Sequence, residues 1–388
     1  MTTTPSEALR GSGTARPSAS SSRPTSSPPI RGKITGFPID RGGRIKIAIA
    51  VIATILAAIF QHVGAPSVLT FVTAACSLAV LATLVGDGTE QIGSRLGPGA
   101  TGVLQSALGN LPELFIGIFL LRKGPDQIPT LQAALVGSVL GNSLLVLGLA
   151  FLLGGLRHGT QTFDAEPIRN IASLTFLAVA ALAIPTLASQ LHTTAAAHTG
   201  ALSVACAVVL LLVFAANIPF SLQGKVAPPA DDAEAPWPIW LAALVLVAAG
   251  VGSVFVSDWF VNALIPAEKV LGLSAGFTGL VIVAIAGNAV ENVVGVQLMM
   301  KNRPEYAISV ILNSSLQVAL ALIPALVLLS YVIGGTHLSL VLSPLLLGSL
   351  LLATILIALT TYDGESTWLE GASLIGLYVI VAAAFWWG

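Results

Sequence analysis

The sequence is poor in charged residues. Asp, Glu, Lys and Arg make up only 9% of its 388 residues, whereas 55% are hydrophobic. A water-soluble domain carries about 25% charged residues, so this chain lacks the polar surface that a soluble globule needs. Its apolar runs are about 20 residues long, the length of a membrane-crossing helix, and follow one another from Ile45 to the C-terminus. Alternating segments of about 10 residues, which mark outer-membrane strands, are not seen. The expected class is an all-α polytopic membrane protein.

Cysteine is scarce as well. Cys76 and Cys206 are the only two, and both lie in apolar runs. Thiols in such runs are expected to pack against neighbours rather than to form a disulfide or a metal site. The basic residues do not form a folded basic face, so no nucleic-acid partner is expected.

Residues 1–40 contain no apolar stretch that could form the core of a signal peptide. They are rich in Ser, Pro, Thr, Gly and Arg, and we predict a disordered basic tail. After it we predict a first transmembrane helix at 45–60, a block of five helices at 65–220, an acidic linker at 221–236 and a second block of five at 237–388. The eleven expected spans are approximately 45–60, 65–85, 99–121, 128–153, 168–187, 200–220, 237–264, 277–300, 306–329, 338–359 and 369–387.

The distribution of Lys and Arg predicts the orientation of the chain. With the N-terminus in the cytoplasm, only Arg122, Lys123 and Lys269 fall in outside loops, and every other basic residue falls inside. Basic residues accumulate in the cytoplasmic loops of membrane proteins. We therefore expect a cytoplasmic N-terminus and an outside C-terminus. The Ala- and Gly-rich composition favours a bacterial inner membrane.

Two near-identical stretches lie 178 residues apart: GNLPELFIG, from Gly109 to Gly117, and GNAVENVVG, from Gly287 to Gly295. Each has the order G-N-x-x-E and another Gly four residues after the Glu. On a helix the Asn, the Glu and the second Gly share one face. Each stretch is also followed by a Ser-containing helix, so we favour a true repeat over a chance recurrence in a Gly- and Ala-rich chain. Because each block holds an odd number of spans, the second is inverted, and inverted repeats place an ion or substrate site near the bilayer midplane.

Glu113 and Glu291 are the first candidates for that site. A charged residue at a helix centre costs about 2.5–3.5 kcal/mol, and a chain that carries this cost twice is expected to use both groups. The Gly-Asn pairs that end at Asn110 and Asn288, and Pro112 in the first motif, weaken the helix and free carbonyl groups. Carbonyl, amide and carboxylate oxygens are hard ligands that suit Ca²⁺, and the His and Cys of a structural zinc site are absent. The alternative is that both Glu residues pack helices and are satisfied by neighbouring polar groups.

Polar residues on the following helices can complete such a site. Ser314 and Gln317 lie at i and i+3 and can face it together. For Ser138, Asn142 and Ser315, helix packing is an equally good interpretation. The full supporting set comprises Ser138 and Asn142 on the fourth span, and Asn313, Ser314, Ser315 and Gln317 on the ninth.

Glu90 and Asp258 form a second acidic pair. Glu90 follows the second span and Asp258 lies late in the seventh, at roughly equivalent places in the two blocks. They are candidates to line entry paths or to relay protons. The equally weighted alternative is that each is a solvated acid near a helix end.

The sequence around these residues resembles a known group. The stretches TEQIGSRLGPGATGVLQSALGNLPELFIGIFLLRKG, IAGNAVENVVGVQLMMKN and ILNSSLQVALALIPALVLL are similar to the two α-repeats of the calcium/cation antiporter superfamily. Its cation/proton exchanger (CAX) branch, the Ca²⁺/H⁺ antiporters of vacuoles and bacteria, is the nearest. The resemblance covers about 89–153 and 279–329 and implies an inverted-repeat exchanger fold similar to sodium/calcium exchangers. It places the cation on Glu113 and Glu291, helped by Asn110, Asn288, Ser138, Ser314 and Gln317.

The sequence differs from the usual pattern of this branch in both motifs. The branch usually has His directly after the second Glu, and here the residue is Asn292. This puts any role of that His in cation selectivity or pH response in doubt. Pro112 replaces the usual small residue. The ninth span carries Gln317 and no Asp, whereas Na⁺/Ca²⁺ exchangers tend to have more acids around the site, which favours H⁺ as the coupling ion.

The predicted function is therefore a secondary active antiporter that exchanges Ca²⁺, or a similar divalent cation, for H⁺ by alternating access. It is not expected to be an enzyme, and no cofactor is expected beyond the transported ions. The alternatives are a Na⁺/Ca²⁺ or monovalent cation/H⁺ antiporter, an intramembrane enzyme that uses the two acids as a dyad, and a cation channel. Ca²⁺, H⁺ and the lipid bilayer are the expected partners, and a homo-oligomer is left open.

Overall fold

The protein is represented by a computed structural model, which describes residues 39, 41–96, 108–223, 237–333 and 335–387. All of them belong to one compact unit, Pro38–Gly388. The expected basic tail and acidic linker lie almost wholly outside these residues, so both stay predictions. The backbone but not the side chain is described at 94, 96, 220–223 and 289–292.

The described chain is almost entirely helical, because a backbone in lipid must satisfy its hydrogen bonds within each segment. Two short strands, β1 (Gln161–Thr162) and β2 (Glu365–Ser366), pair antiparallel. Three π-helical turns are π1 (Gly141–Val146), π2 (Thr278–Val283) and π3 (Val318–Leu322). The α-helices are α1 (Arg41–Val63), α2 (Ser67–Leu96), α3 (Leu111–Lys123), α4 (Ile128–Leu140), α5 (Leu147–His158), α6 (Ala165–Gln190), α7 (Thr199–Gln223), α8 (Ile239–Leu271), α9 (Ala275–Phe277), α10 (Ala284–Gly287), α11 (Ala289–Met300), α12 (Pro304–Gln317), α13 (Ile323–Ile333), α14 (Pro344–Thr360) and α15 (Trp368–Trp386).

Eight helical stretches of the described chain are long and apolar enough to cross a membrane, judged by length and composition alone. Two further apolar helices, Ala275–Gly287 and Pro344–Thr360, are shorter. The expected class, an all-α membrane protein with many spans, is confirmed. The number eleven stays a prediction, because residues 97–107, where the third span should begin, lie outside the described chain.

The first helices of the two blocks, α2 and α8, lie side by side and run in opposite directions. Gly88, near the end of α2, packs against Leu246, near the start of α8. Gly252, further along α8, packs against Leu81, which comes earlier in α2. Equivalent helices that run antiparallel are what an inverted repeat requires. The π-helical turns agree with this, since π1 and π3 interrupt the fourth and ninth expected spans at matching places.

The expected tenth span, 338–359, begins too early. Residues 338–343 are not helical, and α14 begins only at Pro344. Ser343 is the N-cap of this helix and accepts the Leu346 N–H through its hydroxyl, while Pro344 occupies the first turn, where Pro is favoured. Hydropathy extended the prediction because Leu338 and Leu340 are apolar and buried, although they belong to an irregular segment.

Neighbouring helices satisfy the backbone of this buried irregular segment. Irregular backbone at membrane depth needs such partners when it is enclosed by protein. The Gln132 side chain donates to the carbonyl groups of Ser339 and Val341. Three backbone N–H groups of the segment donate to hydroxyl groups of other helices: Leu338 to Ser330, Leu340 to Ser203 and Leu342 to Thr186.

α4 and π2, one from each block, cross with their backbones in contact. A Cβ atom on Gly137 would lie 2.3 Å from the carbonyl oxygen of Leu280. A Cβ atom on Gly279 would lie 2.3 Å from the carbonyl oxygen of Thr130. Only Gly allows so close an approach, and small residues have this role in membrane helix packing. The crossing therefore positions Ser138, the residue after Gly137, against the other block.

Gly137→Ala should destabilise the folded protein by about 1–3 kcal/mol or more. The new Cβ would meet backbone atoms of Leu280, which no side-chain rotation can move. Gly348→Ala is the matched control, because a Cβ there has nothing within 4 Å. Thermal unfolding in detergent measures both variants. Equal melting temperatures would contradict the backbone contact.

Candidate functional site

Each repeated motif interrupts its helix at the Asn. Asn110 has φ −95° and ψ 23°, and Asn288 has φ −100° and ψ 21°, so the two breaks share nearly the same backbone geometry. New helices, α3 and α11, begin at the next residue in each case. An N-cap Asn normally bonds its own helix through its side chain. Neither Asn does so here, and both side chains bond other helices instead.

Asn288, which is 2% exposed, is the centre of a buried hydrogen-bond network. Its Nδ2 donates to Ser138 Oγ at 3.0 Å and to the Ala284 carbonyl at 2.9 Å. Its Oδ1 accepts from Asn142 Nδ2 at 3.0 Å, and Asn142 Nδ2 also donates to Ser314 Oγ at 3.0 Å. Residues from the fourth, eighth and ninth expected spans therefore meet at one point.

Asn110 and Gln317, which the family resemblance also places at the site, meet as well. Asn110 Nδ2 donates to Gln317 Oε1 at 3.4 Å, at the long end of the hydrogen-bond range. This contact joins the helix break of the first motif to α12 of the second block. It is the counterpart of the contact between Asn288 and Ser138, which joins the break of the second motif to α4 of the first block.

Glu113 lies in the first turn of α3 and is only 7% exposed. The positive end of the helix dipole favours a carboxylate there. Gly287, the residue before the second break, faces it, since a Cβ on Gly287 would lie 2.9 Å from Glu113 Cγ and Oε1. The carboxylate of one motif thus lies directly against the backbone of the other.

Glu291 occupies the equivalent place in the first turn of α11, three residues after Asn288. The side chains of Glu291 and its neighbour Asn292 lie outside the described residues. The part that Glu291 has in the site is therefore a prediction from the repeat and from its backbone position.

A pair of serines packs the two blocks together beside this network. Ser143 and Ser315, each 1% exposed, lie with their Oγ atoms 2.9 Å apart. Ser315 also donates to the Val139 carbonyl at 3.3 Å. These contacts favour a packing role for Ser315 over a ligand role.

The network is rich in oxygen atoms that could act as cation ligands. Asn142 is fully buried, and its Oδ1 has no hydrogen-bond partner among the described residues. A buried acceptor left unsatisfied costs roughly 1–3 kcal/mol, which a bound cation or water can recover. Across the described residues, no three His, Cys, Asp or Glu side chains group as a metal cluster. Apart from Glu113, the described donors near the site are therefore amide and hydroxyl oxygens.

The two expected access-path acids lie apart from this network. Glu90 is exposed near the C-terminal end of α2. Asp258 is half-buried within α8 and accepts from Asn262 Nδ2 at 3.0 Å. Lys123, at the end of α3, donates to Asn262 in turn. Asp258 therefore belongs to a polar chain between α3 and α8, and the structure does not bring it beside Glu90.

The repeat interval pairs Glu90 with an acid that the sequence reasoning did not single out. Glu268 lies 178 residues after Glu90, the same interval that separates Asn110 from Asn288. Counting back from each motif by one fixed number of residues would have found it. Glu268 lies near the end of an apolar run, where a solvated acid is common.

Residues 66–223 and 241–387 match the family described as "Sodium/calcium exchanger protein". The chain belongs to this family. The two matched segments contain the two motifs and the helices that position them. The membership confirms the family resemblance seen in the sequence.

Relatives within the exchanger family are named as antiporters. A protein of Synechocystis named "Ca(2+)/H(+) antiporter" is 36% identical over 338 residues, which cover 81% of this chain and 90% of the relative. "Ca(2+)/H(+) antiporter ChaA" of Bacillus subtilis is 32% identical over 329 residues, which cover 82% of this chain and 92% of the relative. The solved structure of native YfkE has a TM-score of 0.76 at 30% identity and covers 88% of this chain and 100% of its own. The expected exchanger fold is therefore confirmed.

Proposed function

We propose that this protein is a secondary active antiporter that exchanges Ca²⁺, or a similar divalent cation, for H⁺ across a membrane. The observation that carries the proposal is the contact between Glu113 and Gly287, which sets the acid of one motif against the helix break of the other. Similarity to proteins named as Ca²⁺/H⁺ antiporters supports the same pair of substrates. We assign no enzymatic reaction to the two acids.

Glu113 and Glu291 share the cation in this proposal. The break at Asn288 brings the start of α11 close to Glu113, and Glu291 lies in the first turn of that helix. The buried network already gathers amide and hydroxyl oxygens around the two breaks, and Ca²⁺ takes about 6–8 oxygen ligands in flexible geometry. The residues proposed to supply the neutral oxygens are Asn110, Asn288, Ser138, Ser314 and Gln317.

Electrostatics couple the two ions. Two neighbouring carboxylates in a poorly solvated site cannot both stay ionised without a cation, so the empty site takes up protons. Ca²⁺ supplies the missing positive charge and displaces those protons. Its release on the other side lets protons rebind. The doubly charged empty site is sparsely populated and does not readily reorient, so the cycle gives exchange rather than leak.

The donor set favours H⁺ over Na⁺ as the coupling ion. Gln317, which accepts a hydrogen bond from Asn110, is a neutral residue of the candidate site. An acid at this position would add a further negative charge. With only two acids in the site, two protons or one Ca²⁺ neutralise it. No acid is left over for additional monovalent cations.

In proteoliposomes, a pH gradient should drive uptake of radiolabelled Ca²⁺, whereas a Na⁺ gradient at clamped pH should not. The physical reason is that protons and Ca²⁺ compete for the same two carboxylates. The control is the same vesicle with an ionophore that collapses the pH gradient. Uptake driven by Na⁺ alone, or single-channel currents without countertransport, would replace the proposal with a Na⁺-coupled exchanger or a channel.

The proposed setting is the inner membrane of a bacterium with the N-terminus in the cytoplasm. Bacterial relatives and the distribution of Lys and Arg support this setting. Glu90 is proposed as an access-path acid. Asp258 is proposed to line a path through its polar chain with Asn262 and Lys123.

A further inference from the structure

Glu90 and Glu268 are repeat equivalents near opposite ends of an antiparallel helix pair. Gln91, next to Glu90, accepts the Trp237 N–H at 2.9 Å, just before α8 begins. Glu268 lies in the last turn of α8. The 33 residues of α8 span about 50 Å, well over the roughly 30 Å of a hydrocarbon core. The two acids therefore lie near the two opposite faces of the membrane.

Glu268 faces the start of the next helical stretch. The Thr278 hydroxyl lies beside its carboxylate, but neither Thr278 Oγ1 nor Glu268 Oε1 has the geometry of a hydrogen bond to any described group. Thr278 is 1% exposed, so water does not reach its side chain freely. Buried oxygens without partners beside a carboxylate are energetically unfavourable unless a ligand satisfies them.

A second threonine, from the other block, contacts the residue that follows Thr278. Thr130, at the start of α4, is also 1% exposed and has a hydroxyl without a hydrogen-bond partner among the described residues. Its carbonyl oxygen contacts Gly279, the residue after Thr278. Glu268 thus lies beside Thr278, and the backbone of Thr130 meets the residue after Thr278, where π2 crosses α4.

We propose that Glu268, with Thr278 and Thr130, forms an entry site for a divalent cation at one membrane face, and that Glu90 has the equivalent role at the other face. The donors are one carboxylate and neutral oxygens, the hard ligands that Ca²⁺ prefers. This entry site rests on the proposed exchange function, and it adds one separate cation-binding site to each access path. It replaces the pairing of Glu90 with Asp258 by the pairing that the repeat interval gives.

α4 leads from the entry site to the central network. Thr130 and Ser138 are on the same helix, about 12 Å apart along its axis at 1.5 Å per residue. Ser138 accepts a hydrogen bond from Asn288 at the break of the second motif. A cation released from Glu268 therefore has a short distance to travel to the proposed central ligands.

Ca²⁺ transport measured from each membrane face tests this proposal. Full-length protein is assayed in right-side-out and inside-out vesicles, with the Ca²⁺ concentration varied on the accessible face. Glu268→Gln should raise KM for Ca²⁺ about tenfold at one face, as expected when a charged ligand becomes neutral. KM at the other face should stay within about twofold. Glu90→Gln should show the reciprocal pattern.

Three further variants sharpen the test. Glu268→Asp keeps the carboxylate and should restore most of the affinity. Thr278→Val removes one hydroxyl and should raise KM at the same face as Glu268→Gln, which provides a second readout if Glu268→Gln does not insert into the membrane. Asp126→Asn is the matched control, because Asp126 is an exposed acid in the short 3₁₀ turn just before α4 and lies outside the cluster.

The outcomes separate this inference from the proposed function. Absence of Ca²⁺/H⁺ exchange in the unsubstituted protein would defeat the proposed function itself. Normal exchange in that protein, with Glu268→Gln and Thr278→Val changing KM equally at both faces or at neither, would overturn the entry site alone. Glu90→Gln and Glu268→Gln acting on the same face would also overturn it.

Discussion

Glu113→Gln should abolish Ca²⁺ uptake driven by a pH gradient, and Glu291→Gln should do the same. Gln has nearly the shape of Glu but can neither ionise nor carry a proton, so each variant loses both halves of the exchange. Removal of one charged partner from a buried pair costs about 3–5 kcal/mol, which corresponds to a loss of affinity of roughly 100-fold or more. Glu113 is buried against Gly287, so solvent cannot make up this loss.

Uptake of radiolabelled Ca²⁺ in proteoliposomes measures the rate, and calorimetry at fixed pH measures Ca²⁺ binding. Glu365→Gln is the matched control, because Glu365 is exposed in β2 and its loss changes the charge by the same amount. Exchange at the normal rate in either site variant would refute the assignment of that residue. Loss of Ca²⁺ binding in the control variant would show that net charge, rather than the site, sets the affinity.

Gly287→Ala should lower Ca²⁺ affinity by about 10- to 100-fold, the usual effect of disturbing a residue that orients a metal ligand. The added Cβ would lie 2.9 Å from Glu113 Cγ and Oε1, so the carboxylate has to move. The end of a Glu side chain is flexible, and the fold should therefore survive. In Gly137→Ala, by contrast, the new Cβ meets backbone atoms, so the fold itself should be destabilised.

Two measurements on Gly287→Ala separate binding from folding. The Ca²⁺ dissociation constant should rise, while the thermal unfolding temperature in detergent should stay close to that of Gly348→Ala, whose Cβ has free space. A normal dissociation constant would mean that Glu113 does not bind the cation through the carboxylate position seen here. A large fall in the unfolding temperature would mean that Gly287 supports the fold rather than the site.

The helix breaks of the candidate site could be predicted from the sequence because the motif is duplicated. The order Gly, Asn and Glu gave both helix breaks, and the structure shows nearly equal dihedral angles at Asn110 and Asn288. The burial of Glu113 also follows from an acid in an apolar run. A single motif would have been weak evidence for a helix break, but two copies at equivalent places support each other.

The remaining features depend on contacts that local patterns do not encode. Hydropathy ended the second span near Val85, yet α2 continues to Leu96. Beyond the predicted end, Asp87 pairs with Lys46 of α1 at 2.8 Å. The irregular segment 338–343 looks helical by composition, and only hydroxyl groups from distant helices make its backbone acceptable. Glu268 was overlooked for a related reason, since its neighbour Thr278 approaches it only in three dimensions.

The crossing of α4 and π2 has a consequence for alternating access. At Gly137 and Gly279 the nearest atoms across the contact are backbone atoms and the Cβ of Ala133, and none of them belongs to a long side chain. Surfaces of this kind can part and close again without any rotamer change, so a sliding motion between the blocks meets little steric friction there. The two glycines that allow this close contact thus also leave a junction along which the halves can slide.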